Sequence, residues 1–109
     1  MNQFPEVIEK LPKADINLNG ANAYLAQCTE SQILFMSFDE DVELPVHSHK
    51  AQWGIVLDGK ILLNINGVEK IYTKGDNYYI PEKVAHSGKI YAGYKDITYF
   101  DDKSRYKKL

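Results

Sequence analysis

The sequence predicts an all-β chain, a sandwich or barrel of short strands. Three observations carry this. Apolar and aromatic runs of about four to eight residues recur along the chain, separated by Gly, Asn, Asp and Pro clusters. One separator, Asn66-Gly67, is the residue pair that tolerates the positive φ of a type I′ hairpin turn. No helical heptad, internal repeat or low-complexity stretch competes with this reading.

Residues 1–20 form an irregular N-terminal extension, punctuated by Pro5, Pro12, Asn17, Asn19 and Gly20, in which only Glu6 to Leu11 suits a short helical turn. A barrel domain follows over residues 21–102. Ala21 to Cys28 is its first candidate strand. Gln32 to Phe38 is a stronger one, so continuously apolar that it predicts cover on both faces, with a buried helix left open by periodicity alone. Asp39-Glu40-Asp41 ends it. Val42 to His49 alternates, and Gln52 to Leu57 runs to a turn at Asp58-Gly59. Ile61, Leu63 and Ile65 share one face of the next strand, and Val68 to Thr73 returns after the Asn66-Gly67 turn. Lys74-Gly75-Asp76 turns the chain into Tyr78 to Ile80, which stops at Pro81. Lys89 to Tyr91 and Asp96 to Phe100 complete the set.

A chain of 109 residues, 44% hydrophobic and 26% charged, is one ordinary globular domain able to bury a small core. Its net charge of −2 mixes acids and bases throughout, which excludes the basic stripe of a nucleic-acid binder. The basic run from Lys103 to Lys108 reads as a solvated tail, residues 103–109. The single Cys28 has no intrachain disulfide partner and reads as a buried, inert thiol. The N-terminus lacks the basic and apolar regions of a secretory signal, and no run approaches the roughly 18 apolar residues of a membrane span. A soluble, cytoplasmic protein is expected.

All three histidines, His47, His49 and His86, fall in two short segments. The first is His47-Ser48-His49, with Gln52 three residues on. The second runs from Gly75 through Pro81 to His86. Neutral imidazole is the commonest metal ligand, and in a strand residues i and i+2 share a face. An H-x-H pair after Pro45 also suits a solvated loop; the framing by Gly59, Gly75-Asp76 and Pro81 is what favours a site.

These segments resemble the two motifs of the cupin superfamily, G-x5-H-x-H-x3/4-E-x6-G and G-x5-P-x-G-x2-H-x3-N. The matches are His47, His49, Gln52 in the Glu place, Gly59, Gly75, Pro81 and His86, and the resemblance spans about residues 32–100. Asp41 stands at the first Gly, two residues rather than three or four separate His49 from Gln52, Lys83 replaces the middle Gly and Ile90 the Asn. The resemblance implies a jelly-roll β-barrel, the double-stranded β-helix of the cupins, and fixes fold better than activity.

A site built from His47, His49, Gln52 and His86 offers three neutral imidazoles and one amide oxygen. That set suits one divalent transition metal per chain, Zn, Fe, Ni, Mn or Co, without choosing among them. Gln52 in place of a carboxylate leaves the metal's double charge uncompensated, which favours an anionic or enolisable small-molecule ligand. Three histidines with an open position also match catalytic logic. Two readings stay open. One is a metal-dependent enzyme acting on a small oxygen-rich or carbonyl compound by oxygenation, isomerisation or metal-assisted hydrolysis. The other is a non-enzymatic binding or sensor module of the same fold; a metal that only stabilises the barrel is a third, lesser one.

Tyr78, Tyr79, Tyr91, Tyr94 and Tyr99 cluster around the second motif, as packing aromatics or as hydroxyls at a barrel mouth. By strand parity Gly54 and Val56 share the face of Gln52, leaving room for a ligand, while Trp53, Ile55 and Leu57 lie opposite. That outer apolar face, with an N-terminal segment needing a surface to lie on, predicts a homodimer.

Overall fold

Residues 4–109, the part of the chain described by the computed structural model, comprise one helical turn and nine strands. They are α1 (Glu6–Glu9), β1 (Ala21–Gln27), β2 (Gln32–Phe38), β3 (Val42–His47), β4 (Gln52–Asp58), β5 (Lys60–Ile65), β6 (Val68–Thr73), β7 (Asn77–Ile80), β8 (His86–Ile90) and β9 (Lys95–Phe100). Two antiparallel sheets result, β1-β2-β9-β4-β7 and β3-β8-β5-β6. Every sequence-predicted strand is present, and the architecture is the expected all-β jelly-roll barrel.

The period-2 pattern explains how the sheets face each other. Leu34, Met36 and Phe38 of β2, Gly54 and Val56 of β4, Ile61 and Leu63 of β5 and Phe100 of β9 point inward and are buried. The Asn66-Gly67 turn has φ of 51° and 85°, both positive as a type I′ hairpin requires, and it closes β5 onto β6. Lys83 also has positive φ, 64°. The cupin motif has Gly at this position, and the left-handed backbone supplies the reason.

Four expectations need correction. His49 is not in a strand: β3 stops at His47, and His49 stands in the loop before β4. The strand after Pro81 begins at His86, three residues earlier than its apolar content suggested, because β8 pairs on both sides with β3 and β5. Cys28 is only half-buried, just beyond β1. The 103–109 segment is not a solvated tail. Asp15 N–H donates to Lys107 C=O (2.8 Å), Leu109 N–H donates to Lys13 C=O (2.8 Å), and Tyr106 packs against the core.

Gln32 is what ties this segment down. Only 1% exposed, it donates from Nε2 to the carbonyls of Tyr106 (2.9 Å) and Lys103 (3.2 Å) and accepts the Tyr106 N–H at Oε1 (3.0 Å). The N-terminal segment also lies on its own barrel. Phe4 packs edge-on against Tyr24 and Phe35 on the outer face of the larger sheet, while Ile16 and Leu18 pack against the core.

Gln32→Leu should leave the Tyr106 N–H and C=O unpaired, while the Lys103 C=O keeps its bond from Gln27 Nε2 (2.9 Å). Each unmet buried group costs roughly 1–3 kcal/mol, so the midpoint of chemical denaturation should fall. Hydrogen exchange at residues 103–109 should rise by more than in the strands; uniform exchange would contradict the tie.

Candidate metal centre and its cavity

The pairing of β3 with β8 builds the centre. Leu44 lies opposite Gly88, but His47 lies opposite His86, so three steps on β3 match two on β8. This bulge falls at Pro45-Val46, where proline's missing N–H is tolerated, and it re-aims the end of β3. The His47 and His86 ring centroids are 4.1 Å apart. His49 reaches the same point from its loop, whose backbone is held by Lys83 N–H donating to His49 C=O (2.9 Å). Its ring centroid is 5.3 Å from that of His47 and 4.7 Å from that of His86, and its ring leans edge-on against Phe100.

The tautomers follow from the hydrogen bonds. Nδ1 of each ring lies against a backbone carbonyl: His47 on Pro45 (2.6 Å), His49 on Lys50 (2.6 Å), His86 on Val84 (2.9 Å). A carbonyl only accepts, so each Nδ1 carries the proton and each Nε2 presents a bare lone pair. Burial, with the Arg105 charge and the neighbouring imidazoles, holds His49 and His86 below their ordinary pKa and so neutral at pH 7. The two Nε2 atoms stand 3.1 Å apart with no proton to share. Facing lone pairs repel, and a cation between them resolves the repulsion. One ligand atom from each of the three histidines lies within 4.8 Å of the other two, so the set is positioned to hold a metal ion. The donor chemistry fits a divalent transition metal.

The centre opens into a cavity of about 310 Å³, at the lower end of the small-molecule range. Gln52 lines it with the three histidines, on the face that parity assigned, so all four sequence-predicted residues come together. The space expected at Gly54 is not open: a Cβ there would meet the Tyr78 ring at 2.4 Å. Tyr78, not a ligand, fills it.

Two groups were missed. Arg105, read as part of a solvated tail, lines the cavity, stacked over Tyr106 with a buried, unpartnered Nε. Asp96 lines it too, 1% exposed. Tyr94 donates to its Oδ2 at 2.6 Å and Tyr78 at 3.3 Å, and the Thr98 hydroxyl is a third partner of the carboxyl. Strand parity could have found it, because Asp96 shares the inward face of β9 with Thr98 and Phe100.

Burial pushes the Asp96 carboxyl up to about 7, against the opposing pull of the neighbouring hydroxyls, and burial and the Asp96 charge push both tyrosines up as well. The folded chain therefore holds a proton that the unfolded chain, with an ordinary carboxyl near 3.8, has lost. The stability this provides is complete below that lower value and disappears as pH rises toward 7. Asp96→Asn should remove this slope. By thermal denaturation the variant should gain on the parent between pH 4 and pH 8, by on the order of a few kcal/mol; a parallel pH dependence would refute the assignment.

A Cupin domain profile matches residues 34–93, more than half of the chain. The chain is a member of the cupin family. No curated protein sequence matches it. Among solved structures, an RmlC-like cupin from Shewanella frigidimarina is 25% identical, with TM-score 0.75 and 96% of each chain covered. KdgF from a Halomonas species is 19% identical, with TM-score 0.70 and coverage of 80% of this chain and 83% of that one. A variant of Bacillus subtilis oxalate decarboxylase is 21% identical, with TM-score 0.69, covering 89% of this chain but 29% of that one. The last two likenesses concern the fold alone.

Proposed function

We propose that the protein binds one divalent transition metal through His47, His49 and His86, with Gln52 beside them as a weak fourth ligand, and takes a small anionic or carbonyl compound at the open side. The observation that carries this is the facing pair of unprotonated Nε2 atoms of His49 and His86, with His47 beside them and each ring fixed by an imidazole–carbonyl bond, on the wall of the cavity. A bound metal would supply Lewis acidity, polarising a carbonyl or acidifying a water. The protein's own groups bind and orient: Arg105 adds a second positive charge, and the apolar wall of Met36, Phe38, Leu63 and Ile80 excludes water. All protein ligands are neutral, so an anion completes the charge. This supports a metal-dependent enzyme performing oxygenation, isomerisation or metal-assisted hydrolysis. Turnover separates it from a non-enzymatic sensor of the same build, for which ligand binding raises the melting temperature without product. Among the described residues no helix is long and apolar enough to cross a membrane; a cytoplasmic location belongs to the proposal.

Elemental analysis of protein purified without added metal names the ion. His47→Ala with His49→Ala should abolish metal content while keeping the β-rich circular dichroism, and full occupancy in that variant defeats the site. Gln52→Glu should tighten binding in a chelator competition, because a carboxylate adds charge opposite the cation. Unchanged affinity would move Gln52 out of the ligand set.

A homodimer is the proposed assembly. Trp53, Tyr79 and Tyr99 are 39%, 58% and 41% exposed on the outer face of the larger sheet, beside the part that Phe4 covers. Light scattering should report about twice 12.5 kDa; a monomer mass that persists as concentration rises would exclude the dimer.

A further inference from the structure

Among the described residues Arg105 is the only lysine or arginine on the cavity wall, and it has no ion-pair partner there. Asp96, the one acid of the lining, is taken up by the hydroxyls of Tyr78, Tyr94 and Thr98. The guanidinium sits in the corner of two rings, with Cζ 4.5 Å from the Tyr106 centroid and 5.6 Å from the Phe100 centroid. Stacking of this kind orients the planar group and leaves its edge donors for another partner. Nε is buried without a hydrogen bond, but the side chain as a whole is only half-buried and lines the cavity, so it is not sealed into the wall. The strap beneath it is fastened by the Gln27 and Gln32 amides. A cation held in place without a protein anion is a ready receptor for the anion of a ligand. His49 leans edge-on against the same Phe100 ring, centroids 5.9 Å apart. Metal centre and guanidinium therefore stand against one ring, within reach of a single short molecule.

We infer that Arg105 grips the carboxylate of the ligand through two parallel N–H···O bonds while a carbonyl oxygen of the same molecule faces the three histidines. The ligand class is a short oxo-carboxylate whose apolar spacer lies along Phe100. This rests on the metal-anchored reading above for the carbonyl end, and it narrows that reading: carboxylate and carbonyl belong to one molecule, and each has its own receptor. A simple ketone leaves the guanidinium without an anion, and a simple fatty acid leaves the histidine side without a carbonyl. Arg105 is thus a specificity-determining residue. Its fork matches a carboxylate in a way that the point charge of a lysine does not.

The test uses zinc-loaded protein and three probes of one chain length: 4-oxopentanoate, pentanoate and pentan-2-one. Titration followed by NMR should show 4-oxopentanoate binding at least about tenfold more tightly than either analogue, the effect of a charge-assisted pair of bonds. Arg105→Gln should bring 4-oxopentanoate down to the level of pentan-2-one while leaving zinc content and the affinity for the ketone as in the parent. Arg105→Lys keeps the charge and loses the fork, so it should weaken 4-oxopentanoate severalfold and leave the ketone unmoved; this variant decides the matter if the glutamine variant does not fold. Undiminished affinity for 4-oxopentanoate in the variants, or a ketone that matches it in the parent, would overturn the role of Arg105 and leave the metal-anchored reading standing. In the His47→Ala, His49→Ala protein pentanoate should bind as before and the advantage of the oxo group should vanish. An oxo advantage that survives there would defeat the metal-anchored reading and leave the grip of Arg105 standing. Failure of all three probes to bind zinc-loaded protein would defeat both.

Discussion

Three hydrogen bonds from imidazole Nδ1–H to backbone carbonyls determine what the rest of the molecule can do. The carbonyls belong to Pro45, Lys50 and Val84, all of them outside regular ladder pairing or at its edge. Each bond fixes a tautomer and a ring plane together. Had any of the three rings been free to flip, its Nε2 would gain a proton and the donor set would lose a member. The β3 bulge and the left-handed turn at Lys83 matter because they put those carbonyls where the rings need them.

Most of the fold was legible because one period governs it. Alternation along β2, β4, β5 and β9 specifies which side chains meet in the core, and the Asn66-Gly67 pair carries its own turn geometry. The histidines were legible for a similar reason: few residue types do their chemistry, and all copies sit in two segments. What parity misassigned was His49, where the strand had already ended; it joins the site from a loop held by a distant amide. Nothing local in the sequence announces such a contact.

Most of the remaining misses share a cause. Arg105 and Tyr106 lie in a basic run whose composition resembles any solvated tail, and their place depends on Gln32, more than seventy residues earlier. Gly54 reads as empty space until Tyr78 from the neighbouring strand occupies it. Asp96 reads as an ordinary strand carboxylate until the barrel closes around it. For Arg105, Tyr106 and Gly54 the decisive partner is remote in sequence and local pattern has no purchase on it; for Asp96, alternation along β9 already carries the inward face. The likeness to other cupins has the same limit, since it concerns the barrel and not what the barrel encloses.

The cavity wall that carries Arg105 belongs to no sheet. It is a short strap held by the side-chain amides of Gln27 and Gln32 and by two backbone bonds to residues 13 and 15. Insertions or exchanges in such a strap leave the strand registers untouched, so the charge presented to a ligand is free to diverge while the barrel and its histidines stay constant. Selectivity and scaffold are thereby separable units, and substitutions that retune one carry little penalty in the other.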